Sequence, residues 1–126
     1  METRGKTVLI AEDESEIREL LAVLLESEGY TVLRASDGGE ALALLKERRD
    51  EINLLITDLG LPKVGGLELI EQARRLSPSI KIIAASGFGH ANVRERLRKA
   101  GVFQFFPKPF SPVQMLESAK RLMTEE

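Results

Sequence analysis

Four apolar runs in this 126-residue chain each lead into a residue able to do chemistry. The run Val8-Leu9-Ile10-Ala11 is followed by Glu12-Asp13-Glu14, and the run 52–56 by Thr57 and Asp58. The run 80–85 leads into Ser86, and the run 102–106 into Pro107 and Lys108. Two or three carboxylates, a hydroxyl and an ammonium make up the set. Crowded carboxylates are costly unless something positive sits between them. The natural guest is a hard divalent cation, Mg²⁺, which takes one or two carboxylates, keeps waters and prefers phosphate oxygens as further ligands. A carboxylate can also accept a phosphoryl group and become an aspartyl phosphate. That reaction asks a protein mainly for positioning and charge neutralisation. On this reading Asp58 is the acceptor, and the acids around Asp13 form the metal platform. Lys108 supplies a mobile positive charge for phosphate, and Ser86 donates a hydrogen bond to a phosphoryl oxygen.

These residues work together only if the fold gathers them. Five short apolar, β-branched runs, at 8–11, 30–33, 52–56, 80–85 and 102–106, have the length and boundaries of strands. Segments with helical period lie between them. Ile17, Leu20, Leu21, Leu24 and Leu25 follow an amphipathic spacing, and Gly29 ends that helix. Asp37 with Glu40 predicts a capping box for the helix carrying Ala41, Leu42 and Leu45. Gly65-Gly66 precede a helix with Leu69, Ile70 and Ala73, and a fourth helix spans about 90–100 with Val93 and Leu97 inward. Ser111 and Pro112 open the last helix as N-cap and first helical residue.

Strict strand–helix alternation with short connections predicts an α/β fold: a single-domain (βα)5 three-layer sandwich with a parallel five-stranded sheet. Pro107 cannot donate to a strand ladder, so the fifth strand belongs at an edge. The flavodoxin-like order 2-1-3-4-5 satisfies this. It makes the first, third, fourth and fifth strands contiguous, so their carboxyl-end exits converge where open α/β sheets bind ligands. The second strand exits at Ser36-Asp37 on the far side, and Asp37 is read as a helix cap only.

Composition narrows the function classes. The chain has no cysteine, so neither a disulfide framework nor a thiolate metal site is available. Its 18 basic and 20 acidic residues leave a net charge of −2, which gives no electrostatic footprint for nucleic acid. Arg94, Arg96, Arg98 and Lys99 form a local basic face on the fourth helix, read as a solvated surface. No apolar run approaches the roughly 20 residues of a membrane span, and no signal peptide is visible. The expectation is a cytoplasmic domain with no membrane contact, monomeric or weakly dimeric, filling residues 1–126 with a core over about 6–124.

Four stretches carry a resemblance over essentially the whole chain: LIAEDE at 9–14, LLITDLGLP at 54–62, IIAASG at 82–87 and FFPKPFS at 105–111. In this order and spacing the chain resembles a response-regulator receiver domain. The resemblance implies phosphoryl transfer to Asp58 from a histidine kinase or histidine phosphotransfer domain. It implies Mg²⁺ held by Asp13, by Asp58, by the backbone carbonyl of Gly60 and by Glu12 directly or through water. Ser86 matches the switch hydroxyl, Phe105 the switch aromatic and Lys108 the phosphate-binding lysine, with a cis bond between Lys108 and Pro109. The implied output is a change in the face made by helix 4, strand 5 and helix 5, with no catalysis beyond the domain's own phosphorylation and dephosphorylation. The acidic pair is Glu-Asp where Asp-Asp is commoner, Leu61 stands for a usual Met, and Gly65 for a usual capping Asp. A flavodoxin-like redox carrier would need a hydroxyl- and glycine-rich loop where Glu12-Asp13-Glu14 stands. An aspartyl-phosphate phosphatase would need an acid where Gly60 stands. His90 is the only histidine and lacks the helical surroundings of a phosphodonor. The style of the termini resembles receivers of hybrid sensor histidine kinases, so a tethered donor is the expected parent arrangement.

Overall fold

Five parallel strands form one sheet in the order β2-β1-β3-β4-β5, the flavodoxin-like order expected, with β5 at an edge as Pro107 requires. In this computed structural model, which describes residues 6–87, 91–102 and 104–124, strands and helices alternate without exception. They are β1 (Thr7–Ala11), α1 (Ser15–Ser27), β2 (Thr31–Ala35), α2 (Gly38–Arg48), β3 (Ile52–Asp58), α3 (Gly66–Leu76), β4 (Lys81–Ser86), α4 (Ala91–Lys99), β5 (Gln104–Pro107) and α5 (Pro112–Thr124). β5 begins two residues later than the sequence pattern predicts. Val102 is buried ahead of it, and Phe103 and His90 lie outside the described residues.

The pleat sorts each central strand onto two cores. Leu9, Ala11, Leu55, Ile82 and Ala84 pack with Ala41 and Leu45 of α2, Leu69, Ile70 and Ala73 of α3, and Leu97 of α4. Val8, Ile10, Leu54, Ile56, Ile83 and Ala85 pack with Leu21, Ala22 and Leu25 of α1 and Met115, Ala119 and Met123 of α5. Strands covered on both faces read as continuous apolar runs, and β1 is buried at every residue. One expectation fails on α1. Leu20 is half exposed, and Ala22 takes its place against the sheet, because a helix flanking a sheet buries only one stripe. β1 and β3 pair with one irregularity. Thr7 lies opposite Ile52 and Val8 opposite Leu54, and the skipped Asn53 accepts the Thr7 N–H through Oδ1 at 2.8 Å.

The helix ends follow local chemistry. Asp37 accepts the Glu40 N–H at 2.8 Å, while Glu40 reaches back to Ser36 N at 2.7 Å, one residue beyond a standard capping box. Ser111 Oγ accepts the Gln114 N–H at 3.2 Å. Gly29 adopts φ 97°, the left-handed turn that closes α1. α3 starts from Gly65 with no side-chain cap. Its first residue, Gly66, lies directly beneath the end of β3. A Cβ there would stand 2.4 Å from the Asp58 carbonyl oxygen and 2.5 Å from Leu59 Cα, while Gly66 N donates to Leu59 O at 3.1 Å.

That close approach and the bare N-cap give opposite expectations for adjacent glycines. Gly66→Ala forces backbone apart and is expected to cost about 2 kcal/mol or more. Gly65→Ser meets open space and supplies a cap, for a gain of about 0.5–1 kcal/mol. Urea denaturation of the two variants measures both; equal midpoints would mean that α3 does not rest on the β3 exit.

Candidate functional site

The carboxyl ends of β1, β3, β4 and β5 form one rim, and backbone hydrogen bonds fix its register. Glu12, just past β1, donates its N–H to Ala35 O at 3.0 Å, which continues the pairing with β2. Asp58 is the last residue of β3 and lies opposite Ala85, and Leu59 N donates to Ala85 O at 2.8 Å. Ser86 closes β4 opposite Pro107, and its carbonyl accepts the Lys108 N–H at 2.8 Å. The peptide bond between Lys108 and Pro109 is cis. Glu12, Asp58 and Ser86 are buried at 3%, 8% and 5% exposure, whereas Asp13 is exposed. The sheet therefore carries two carboxylates out of water and leaves a third at the mouth.

The side chains converge. Carboxylate oxygens of Glu12, Asp13 and Asp58 come within 4.8 Å of one another, a spacing fit for a single cation. Lys108 Nζ lies 3.0 Å from Glu12 Oε1, 3.2 Å from Glu14 Oε1 and 3.5 Å from Asp58 Oδ1. Gly60 sits against the same carboxylate: its backbone pulls the Asp58 carboxyl down, and a Cβ on it would lie 3.7 Å from Oδ2. Phe105 stands one strand position before this rim, opposite Ala84, packed on the α4-side core. The Arg94 guanidinium covers its ring at 4.8 Å from the centroid. Asp37 stays apart as a cap, paired with Lys63 at 3.5 Å, as its far-side strand predicts.

The electrostatics are those of an under-neutralised pocket. Burial pushes the Glu12 carboxyl up, against the Glu14 N–H and Lys108, which pull it down. Burial likewise pushes Asp58 up, with Lys108 opposing and Asp13 adding to the rise. For Lys108 burial acts to lower the ammonium, but its carboxylate neighbours win and the net shift is upward. These directions are compatible. An ammonium shared among three carboxylates is fully compensated, while each carboxylate receives only part of its charge. The chemistry of this donor set fits a second, divalent cation.

Sequence reasoning located Asp13, Asp58, Ser86 and Lys108 on one rim and missed two contacts. Glu14 has no assigned role in the sequence pattern, and in the structure it pairs with Lys108. Its signal was available as an acid two residues past Glu12 at the mouth of the next helix. Arg94 is exposed, as the solvated face predicts, and its guanidinium also lies on Phe105.

The raised Asp58 carboxyl sets a pH dependence. A carboxyl whose folded value lies above its unfolded value adds stability that is fully present at low pH. That stability fades as pH rises from the free-aspartate value of 3.8 through the folded value. In metal-free buffer Asp58→Asn is therefore expected to resist urea better than the parent at pH 7. The gap should close as pH falls towards 4, and saturating Mg²⁺ should reverse the order by stabilising the parent alone. A parent more stable than the variant at pH 7 in chelator would show that Lys108 compensates Asp58 fully.

Comparison with known proteins identifies the surrounding family. The response regulator receiver domain matches residues 8–120. Sensor kinase CckA of Brucella abortus is 34% identical over 120 residues, which is 95% of this chain and 13% of that protein. The chain thus spans a small fraction of that relative. Chemotaxis protein CheY of Thermotoga maritima is 31% identical over 119 residues, 94% of this chain and 98% of that protein. The crystal structure of a CheY-like receiver domain protein from Methanospirillum hungatei superposes with a TM-score of 0.87 at 33% identity, covering 94% and 93% of the two chains. With the rim, the strand order and these likenesses in agreement, the chain belongs to the response regulator receiver domains of two-component phosphorelay signalling.

Proposed function

We propose that Asp58 is the phosphoacceptor, that Glu12, Asp13 and Asp58 hold Mg²⁺ together with the Gly60 carbonyl, and that Ser86 and Lys108 bind the phosphoryl group. The observation that carries this reading is the meeting of three carboxylates within 4.8 Å with Lys108 Nζ 3.5 Å from Asp58 Oδ1. An Asp58 oxygen forms the new bond to phosphorus as the phosphorus–nitrogen bond of a donor phosphohistidine breaks. The electron pair of the broken bond leaves on the imidazole, which takes up a proton from solvent. When bound, Mg²⁺ supplies charge neutralisation and alignment of the phosphoryl oxygens. Lys108 Nζ stabilises the transferred group as a point charge. Burial of Asp58 at the end of a rigid strand holds the nucleophile in one direction and limits water attack on the product.

The donor is a histidine kinase or a histidine phosphotransfer domain, and the likeness to a sensor kinase favours a donor tethered in the same protein. Tethering raises the effective donor concentration to about millimolar and relaxes the need for tight docking. Among the described residues no helix is long and apolar enough to cross a membrane, and we place the domain in the cytoplasm. Output runs through Ser86 and Phe105. Drawing Ser86 towards the phosphoryl group opens space beside β4, and Phe105, one strand over, fills it and releases Arg94. A ligand shifts such an equilibrium only by its differential contacts with the two states. Two or three charge-assisted hydrogen bonds, at about 1.5–3 kcal/mol each, approach the roughly 5.5 kcal/mol needed for a full reversal.

Acetyl phosphate with Mg²⁺ is expected to add one phosphate per chain by intact mass, and Asp58→Asn none. Undiminished uptake by the variant would remove Asp58 as acceptor. Metal titration should show Asp13→Ala weakened about tenfold or more, and Lys108→Ala as tight as the parent or tighter. Amide shifts on adding beryllofluoride should extend from Asp58 to Phe105 and to Arg94–Lys99. Changes confined to the rim would mean that the α4 face is not coupled to it.

A further inference from the structure

The acidic residue that the metal group does not include, Glu14, is also the one whose placement the fold leaves unexplained. It occupies the N-cap of α1, with φ −84° and ψ 113°, yet its side chain makes no capping bond. Ser, Thr, Asp and Asn are the residues that cap helices well, and a glutamate there leaves amide groups without a side-chain acceptor. The Glu14 carboxylate turns instead to Lys108, 3.2 Å from Nζ, while its own N–H donates to Glu12 Oε2 at 3.1 Å. Glu14 thus grips both halves of the Lys108–Glu12 pair. Its side chain is 61% exposed, against 4% for Glu12 and 9% for Asp58. Of the three carboxylates on Lys108, Glu14 can turn into water at little cost, and the other two cannot.

We propose that Glu14 is a positioning residue for phosphoryl binding: it holds Lys108 Nζ at the outer edge of the rim and competes with the phosphoryl group for it. The proposal rests on Asp58 as acceptor. Of the three ion pairs, the one to Asp58 is the longest, so the ammonium stands nearer the β1 acids than the acceptor. Transfer turns the Asp58 carboxylate into a more highly charged acyl phosphate, to which the ammonium must move. Glu12, buried and tied to the Glu14 N–H, keeps its place. The contact broken by the movement is the one to Glu14. Glu14 therefore lowers the affinity of the site for a phosphoryl-like anion without being part of the metal platform.

The test is calorimetric titration of the Mg²⁺-saturated protein with beryllofluoride at one fixed ionic strength, with parent, Glu14→Gln and Glu16→Gln compared. Glu16 is an exposed acid in the first turn of the same helix with no ion pair among the described residues. Glu14→Gln is expected to tighten beryllofluoride about three- to tenfold, as loss of one carboxylate near a second anion should. Glu16→Gln is expected to change it less than about twofold. In the free Glu14→Gln protein the Lys108 ε-methylene resonance should already lie shifted towards its position in the parent's bound form. An unchanged or weaker affinity in Glu14→Gln, or an equal gain in Glu16→Gln, overturns the competition. A parent that binds no beryllofluoride overturns the phosphoacceptor reading itself, which is a separate result.

Discussion

The structure depends on a charge imbalance placed at the end of a parallel sheet. Three carboxylates share Lys108, and two of them, Glu12 and Asp58, are almost out of water. Removing a carboxylate from water is unfavourable, and a shared ammonium offsets it only in part. Packing of the surrounding core holds the pocket in this state. A strand buried on both faces cannot turn its last side chain into solvent, so Asp58 stays where β3 delivers it. A divalent cation held by Glu12, Asp13 and Asp58 would relieve the imbalance.

The scaffold beneath the rim is correspondingly tight. Gly66 allows α3 to start against the backbone of Asp58 and Leu59, and Gly38 does the same for α2, where a Cβ would stand 1.8 Å from the Val64 carbonyl oxygen. Two helices are thereby pressed against the loop that follows Asp58. The opposite core, built by α1 and α5, carries Glu14 and the segment after Lys108, so both sides of the ion-pair cluster are anchored to the sheet.

The α4 side is held by different means. Arg74, on α3, donates to the carbonyls of Ala100 at 2.8 Å and Gly101 at 3.1 Å just past α4, and also to those of Pro78 and Ile80 ahead of β4. Burial lowers its guanidinium, as expected of a charge compensated by carbonyl dipoles and, among the described residues, by no carboxylate. The carboxyl end of α4 is thus clamped to the body of the domain. Nearer its start, Arg94 rests on Phe105, a cation–π contact worth about 0.5–1 kcal/mol at an exposed site.

Much of this was legible in the linear chain. Alternating apolar runs and amphipathic segments specify a βα repeat, because strand and helix periods are local properties of side-chain order. Pro107 placed β5 at an edge, which the flavodoxin-like order satisfies, and that order gathers Asp13, Asp58, Ser86 and Lys108. The caps at Asp37 and Ser111 were readable because a cap acts within four residues. The contacts that sequence reasoning missed join residues far apart in the chain. Whether Glu14 caps its own helix or pairs with Lys108, and whether the solvated Arg94 also reaches Phe105, depends on which long side chain reaches which neighbour once the sheet has closed. The exposure of Leu20 and the burial of Ala22 belong here too: amphipathic spacing names a stripe, but the angle at which α1 lies on the sheet selects which edge of it is covered. The sequence alone determined the fold and the residues at the rim, because each follows from local pattern and strand order. Tertiary structure alone decided how charge is shared among them, because that turns on distances of 3.0–3.5 Å that no spacing in the chain encodes.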